Sequence, residues 1–104
     1  MKIVNKTWGR EIWMVNNELY CGKILELYKN KRCSYHYHRK KDETFYLLNG
    51  KILLEINGDT SILIPGDSVR INPGTRHRYT GLEDSEIIEI STHHSDSDTY
   101  RLEV

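Results

Sequence analysis

The chain has 104 residues, 15 basic and 15 acidic side chains, no formal net charge with histidine neutral, and 38% hydrophobic and 29% charged residues. That length suits one small domain with one core and leaves no room for two. The charge balance excludes a nucleic-acid binder with a broad basic surface and a polybasic membrane anchor, and no apolar run reaches the length of a membrane span.

Residues 1–20 carry Trp8-Gly9 and Ile12-Trp13-Met14-Val15. They are expected to form an arm that adds an edge strand or covers one end of the fold. The first residues have no apolar core of a signal peptide, so the expected location is cytoplasmic. Cys21 and Cys33, the two cysteines, are then expected to be reduced, buried thiols.

Residues 21–92 are expected to form the barrel core. They divide into short runs rich in Ile, Leu, Val and Tyr at 23–28, 33–38, 44–48, 51–56, 61–64, 68–71, 77–80 and 86–91. Turn formers separate these runs, among them Asn49-Gly50, Asn57-Gly58, Pro65-Gly66 and Pro73-Gly74. No window keeps an apolar stripe at helical period, whereas stretches such as Leu25-Glu26-Leu27 and Val69-Arg70-Ile71 alternate. The pattern predicts an all-β sandwich or barrel. Residues 93–104 read as a polar tail, with His93 and His94 on its surface, and Arg39-Lys40-Lys41 reads as a solvated turn.

Three of the five histidines fall inside the predicted strands. His36 and His38 are two apart, so both imidazoles leave the same face of a strand. Glu43 opens the next strand, and a hairpin between them returns its carboxylate to the same end of the barrel. His77 follows the turn at Pro73-Gly74. Three imidazoles and a carboxylate suit one divalent transition metal ion, Zn, Mn, Fe, Co or Ni, without selecting among them. Lys23 is in phase with Leu25 and Leu27; its ammonium either meets an anionic substrate at the cavity mouth or snorkels into water. Tyr79, in phase with His77, either orients substrate or fills the barrel. Glu89 is the candidate general base if its strand turns that face inward.

The segment His36-Tyr37-His38, four residues, Glu43, six residues and Gly50 resembles the first cupin motif without a gap. Gly66, five residues, Asn72-Pro73-Gly74, two residues and His77 resembles the second, with Asn72 in place of the usual proline. The resemblance implies a double-stranded β-helix, or jelly roll, spanning residues 1–104, with His36, His38, Glu43 and His77 as metal ligands. A narrower likeness is to the C-terminal domain of bifunctional mannose-6-phosphate isomerases. It rests on Lys6-Thr7-Trp8-Gly9, on Lys23 with Leu25 and Leu27, on His77-Arg78 and on Glu89-Ile90-Ser91-Thr92. The sequence departs from that pattern at Ser34, where the isomerases have glutamine, and in the longer gap to Glu43.

Four protein ligands leave open positions on a five- or six-coordinate ion, which suits catalysis. The expected ligand is a small polar molecule, a sugar or sugar phosphate, and the expected reaction aldose–ketose isomerisation. An Fe(II)-dependent dioxygenase and a non-catalytic binding module are the alternatives. The exposed sheet edges of a small jelly roll, together with Trp8, Trp13 and Met14, lead to the expectation of a homodimer.

Overall fold

The computed structural model describes residues 1–103. Its strands are β1 (Lys2–Lys6), β2 (Gly9–Asn16), β3 (Cys21–Leu27), β4 (Tyr35–His38), β5 (Glu43–Asn49), β6 (Ile52–Ile56), β7 (Asp59–Leu63), β8 (Ser68–Ile71), β9 (His77–Gly81), β10 (Ser85–Ser91) and β11 (Thr99–Glu103). Each of the eight runs expected from the sequence forms a strand, with ends displaced by at most two residues. Asn57 and Gly58 both have positive φ, 50° and 86°, so the β6–β7 hairpin closes on the two-residue turn that matches strand twist. Among the described residues no helix is long and apolar enough to cross a membrane.

Two sheets face each other, in the orders β1-β2-β3-β10-β5-β8 and β11-β4-β9-β6-β7. All named pairings are antiparallel. This is the jelly roll that the cupin resemblance implies, and it agrees with the all-β sandwich or barrel expected from the strand pattern. The arm at residues 1–20 is a β1–β2 hairpin that extends the six-stranded sheet through β2 and β3. Trp8 and Trp13 both make contacts within the chain. Trp8 is buried edge-on against Tyr79 at 5.5 Å between ring centres, and Trp13 lies between the ammonium groups of Lys2 and Lys23.

The strand register separates the interior into an apolar end and a polar end. One set of facing rows brings Leu25 opposite Ile87, Ile87 opposite Leu47, and Leu54 opposite Tyr79. With Leu27, Ile52 and Leu63 these side chains form the core. Burying each such aliphatic chain contributes about 1.5–3 kcal/mol, so this end holds the barrel together. The neighbouring rows carry polar groups on the same inward faces: Lys23 opposite Glu89, Ser91 opposite Glu43, and His36 opposite His77. The core thus positions a buried polar chamber on the strand positions one pleat further along.

Gly50 terminates the β5–β6 connection with φ of 91°. A Cβ there would run into the Asp84 carbonyl and Ser85, so this motif position takes glycine for both conformation and space.

The C-terminal segment departs from the expected polar tail. A 3₁₀ turn at Asp96–Asp98 leads into β11, which pairs with β4, the strand that carries His36 and His38. Asp98 is buried, and its carboxylate accepts backbone N–H bonds from Arg39, Lys40 and Lys41 at 3.0 to 3.2 Å. A run of three basic residues gave no hint of this, because what is recognised is their backbone.

Candidate metal centre

His36 and His38 project inward from β4, His77 from the start of β9 and Glu43 from the start of β5, so four ligand-type side chains come from three strands. The ligand nitrogens of His36, His38 and His77 all lie within 4.8 Å of one another. Glu43 Oε2 is 3.2 Å from His38 Nε2 and 3.4 Å from His77 Nε2. Ligand atoms at about 2.0–2.2 Å from one ion are separated by about 3–4.4 Å, so these separations are of metal-site size.

Each imidazole is oriented by its other nitrogen. Nδ1 of His36 donates to the Ser34 carbonyl at 2.7 Å, Nδ1 of His77 to the Thr75 carbonyl at 2.9 Å, and Nδ1 of His38 to the Asp98 carbonyl at 3.2 Å. Three backbone carbonyls therefore assign the tautomer, and the three Nε2 lone pairs point into the chamber. Burial, with His77 adding to it, pushes the His36 imidazole down to about 3, so this ring is neutral near pH 7. Glu43 Oε2 and His77 Nε2 are buried and have no hydrogen-bond partner. In neutral imidazoles of this tautomer, acceptor faces acceptor across the 3.2 and 3.4 Å gaps. Such a cluster is a place for a shared cation, and the donor set fits a divalent transition metal.

The sequence-expected substrate residues also reach this chamber. Lys23 is 1% exposed, its ammonium 3.5 Å from Glu11 Oε1 and 4.1 Å from the centre of the Trp13 ring. It is inside the barrel, not snorkelling. Tyr79 is buried between Trp8 and Phe45, which meet its ring edge-on. Glu89 faces inward and is buried.

Two residues read as surface groups belong to the chamber as well. Lys41, expected in a solvated turn, is 3% exposed and lies 3.1 Å from Glu89 and 3.6 Å from Glu43. Burial works against its charge, and the Glu89 and Glu43 carboxylates outweigh that, so its ammonium is held above the usual lysine range. The signal for Lys41 was its phase, since Lys41, Glu43 and Phe45 all alternate inward. His94, expected on the tail surface, is buried and accepts from the Lys41 ammonium at Nδ1, 3.0 Å, while Nε2 donates to Asp96 at 2.9 Å. No local pattern marks His94; its place depends on where residues 93–98 are carried. His93 does remain exposed.

His94 has a measurable consequence. Burial, and then Lys41 and Lys23, push its imidazole down to about 4. An unfolded histidine titrates near 6.5, so below that pH the unfolded chain takes up a proton that folded His94 refuses. The folded pKa is depressed, so the stabilisation is present above about 6.5 and is lost as pH falls toward about 4, and His36 extends the loss toward about 3. For metal-free protein the urea midpoint is therefore expected to fall steadily over this window; a flat profile would contradict the assigned burial.

Comparisons with known proteins agree with this architecture. The family model described as "Cupin domain" matches residues 23–91, which contain all four candidate ligands. The chain is 27% identical over 101 residues to a D-lyxose ketol-isomerase of Cohnella laeviribosi, covering 71% of this chain and 56% of that protein. It is 27% identical over 112 residues to a D-lyxose/D-mannose isomerase of Thermosediminibacter oceani, covering 82% of this chain and 62% of that protein. The chain thus spans little more than half the length of these curated relatives. Among solved structures, a protein from Planctomyces limnophilus superposes with a TM-score of 0.83 at 22% identity, over 96% of this chain and 89% of that one. The match over residues 23–91, on a jelly roll whose inward histidines stand where both sequence motifs put them, makes this chain a member of the cupin family.

Proposed function

We propose that the chain is a metal-dependent aldose–ketose isomerase acting on a small sugar or sugar phosphate. The observation that carries this reading is the adjacency of two chemistries in one chamber. His36, His38 and Glu43 form one wall, the fully buried His77 lies 3.4 Å from Glu43, and Lys41 links Glu43 to the buried carboxylate of Glu89. The 27% likeness to D-lyxose isomerases supports it, as does the narrower likeness to mannose-6-phosphate isomerase domains at Lys6-Thr7-Trp8-Gly9 and His77-Arg78.

His36, His38, Glu43 and His77 would hold the ion, which when bound supplies polarisation of the sugar carbonyl. Glu89 removes the proton from C2 and returns it to C1 while the O2 hydroxyl proton passes to O1, so the carbonyl moves by one carbon and no atom is gained or lost. Lys41 orients the Glu89 carboxylate through the 3.1 Å contact. Lys23 and Tyr79, on the same chamber wall, position substrate oxygens.

Solvent-proton exchange at C2 of D-lyxose, D-mannose and D-mannose 6-phosphate, followed by NMR in D₂O with metal-loaded protein, tests the reading. Exchange is expected in at least one sugar. Glu89→Gln is expected to slow it by about 10²–10⁴-fold. Its metal content is expected to match wild type. Absence of exchange across the panel would overturn the isomerase assignment.

A further inference from the structure

Next to the histidine chamber lies a second, open depression of about 340 Å³ that the isomerase chemistry does not use. The chamber itself is small, about 60 Å³, on a measure in which one water needs about 10–15 Å³. It accepts the reacting end of a sugar and little more. The two spaces share Lys6, Trp8, Ser34 and Arg101 as walls, so they adjoin.

The depression has a one-sided charge. Lys6, Arg32 and Arg101 line it, and among the described residues no carboxylate does. Arg101 pairs with His36 across β11 and β4, which puts both side chains on the inner face of that sheet. Lys6 ends β1 opposite Gly9. Among the described residues, none of these three cations makes an ion pair or a side-chain hydrogen bond. The carboxylates within their electrostatic reach already have partners. Glu11 lies against Lys23, Asp96 accepts from His94, and Glu55 accepts from Arg78. Three cations thus converge on an open space beside a reaction chamber, none of them ion-paired among the described residues, and Ser34 adds a hydroxyl to the same wall.

We infer that this depression is an anion subsite. It takes a phosphate or carboxylate at the end of the substrate remote from the histidines, so that the preferred substrate is an anionic sugar and not a neutral one. The inference rests on the isomerase reading for the word substrate, but the subsite itself is read out by binding. Arg101 and Arg32 present forked donors suited to phosphate or carboxylate, with Lys6 as a point charge.

Isothermal titration of the metal-loaded full chain with D-mannose, D-mannose 6-phosphate, D-glucuronate and inorganic phosphate tests the subsite. At least one anionic sugar is expected to bind about tenfold or more tighter than D-mannose, with the preference shrinking as salt is raised. Which anion wins separates phosphate from carboxylate. The double variant Lys6→Gln/Arg101→Gln is expected to bring the anionic and neutral sugars within about twofold of each other at unchanged metal content, and Arg101→Lys to keep part of the preference. Equal affinity for neutral and anionic sugars in wild type, or a preference that survives the double variant, would overturn the subsite. Loss of C2 exchange with the anion preference intact would overturn the isomerase reading alone. Exchange on neutral and anionic sugars with no anion preference would overturn the subsite alone.

Discussion

His77→Ala is expected to lower divalent-metal affinity by at least about 100-fold, because removal of even an outer partner of a metal ligand costs about 10–100-fold. Wild-type protein dialysed against limiting Zn or Mn is expected to retain about one ion per chain by elemental analysis, and the variant close to none. The argument rests on the position of the ring. His77 is fully buried, its Nδ1–H is committed to the Thr75 carbonyl, and its Nε2 has no partner other than the Glu43 carboxylate 3.4 Å away. The alternative role, that of a packed core histidine, predicts unchanged metal uptake and a stability loss from the cavity. His77→Gln retains most of the volume, so a metal loss shared by both variants separates ligation from packing. Metal uptake equal to wild type in both variants would remove the metal site from this protein.

Lys41→Met in metal-free protein is expected to reduce stability by about 3–5 kcal/mol, the range for removing one partner of a buried ion pair. The ammonium is 3.1 Å from Glu89 and 3.6 Å from Glu43, and all three side chains are buried. Methionine matches the shape but leaves two carboxylates close together without a cation. A lysine in a solvated turn behaves differently, since exposed pairs contribute about 0–1 kcal/mol. Urea denaturation therefore decides between the two environments. Adding Glu89→Gln to Lys41→Met is expected to recover part of the loss, because one of the stranded charges is then gone. A single-variant loss below about 1 kcal/mol would mean that Lys41 sits in water.

Lys41 also shows where reading along the chain stops. Arg39-Lys40-Lys41 is a run of cations between two strands, and such runs usually face solvent. Here Arg39 and Lys40 are exposed while Lys41 turns inward, because the Asp98 carboxylate gathers the three backbone N–H groups and tightens the turn. That carboxylate comes from a segment about 60 residues further along the chain. Local composition carries no information about such a partner. His94 is the same case, since its burial depends on Asn16 of β2, whose side chain bonds both the His94 N–H and its carbonyl.

The convergence of His36, His38, Glu43 and His77 is anticipated along the chain for a physical reason. Strands have a two-residue period, so one His-x-His fixes a shared face, and two turn-bounded motifs fix which ends of the strands those faces reach. The same rule placed Glu89 in phase with Ile87, although only the register with Lys23 and Phe45 shows that this face is the inner one.

Periodicity, turn residues and motif spacing by themselves determined the β architecture, the strand positions and the four side chains that converge at one end of the barrel. These are consequences of short-range geometry, written in neighbouring residues. The tertiary structure alone decided that the polar end is completed by Lys41 and His94, that residues 99–103 close the sheet beside His36, and that Lys6, Arg32 and Arg101 meet in one depression. Those side chains are distant in sequence, and the electrostatic environment of each is set by partners that only the folded chain brings near.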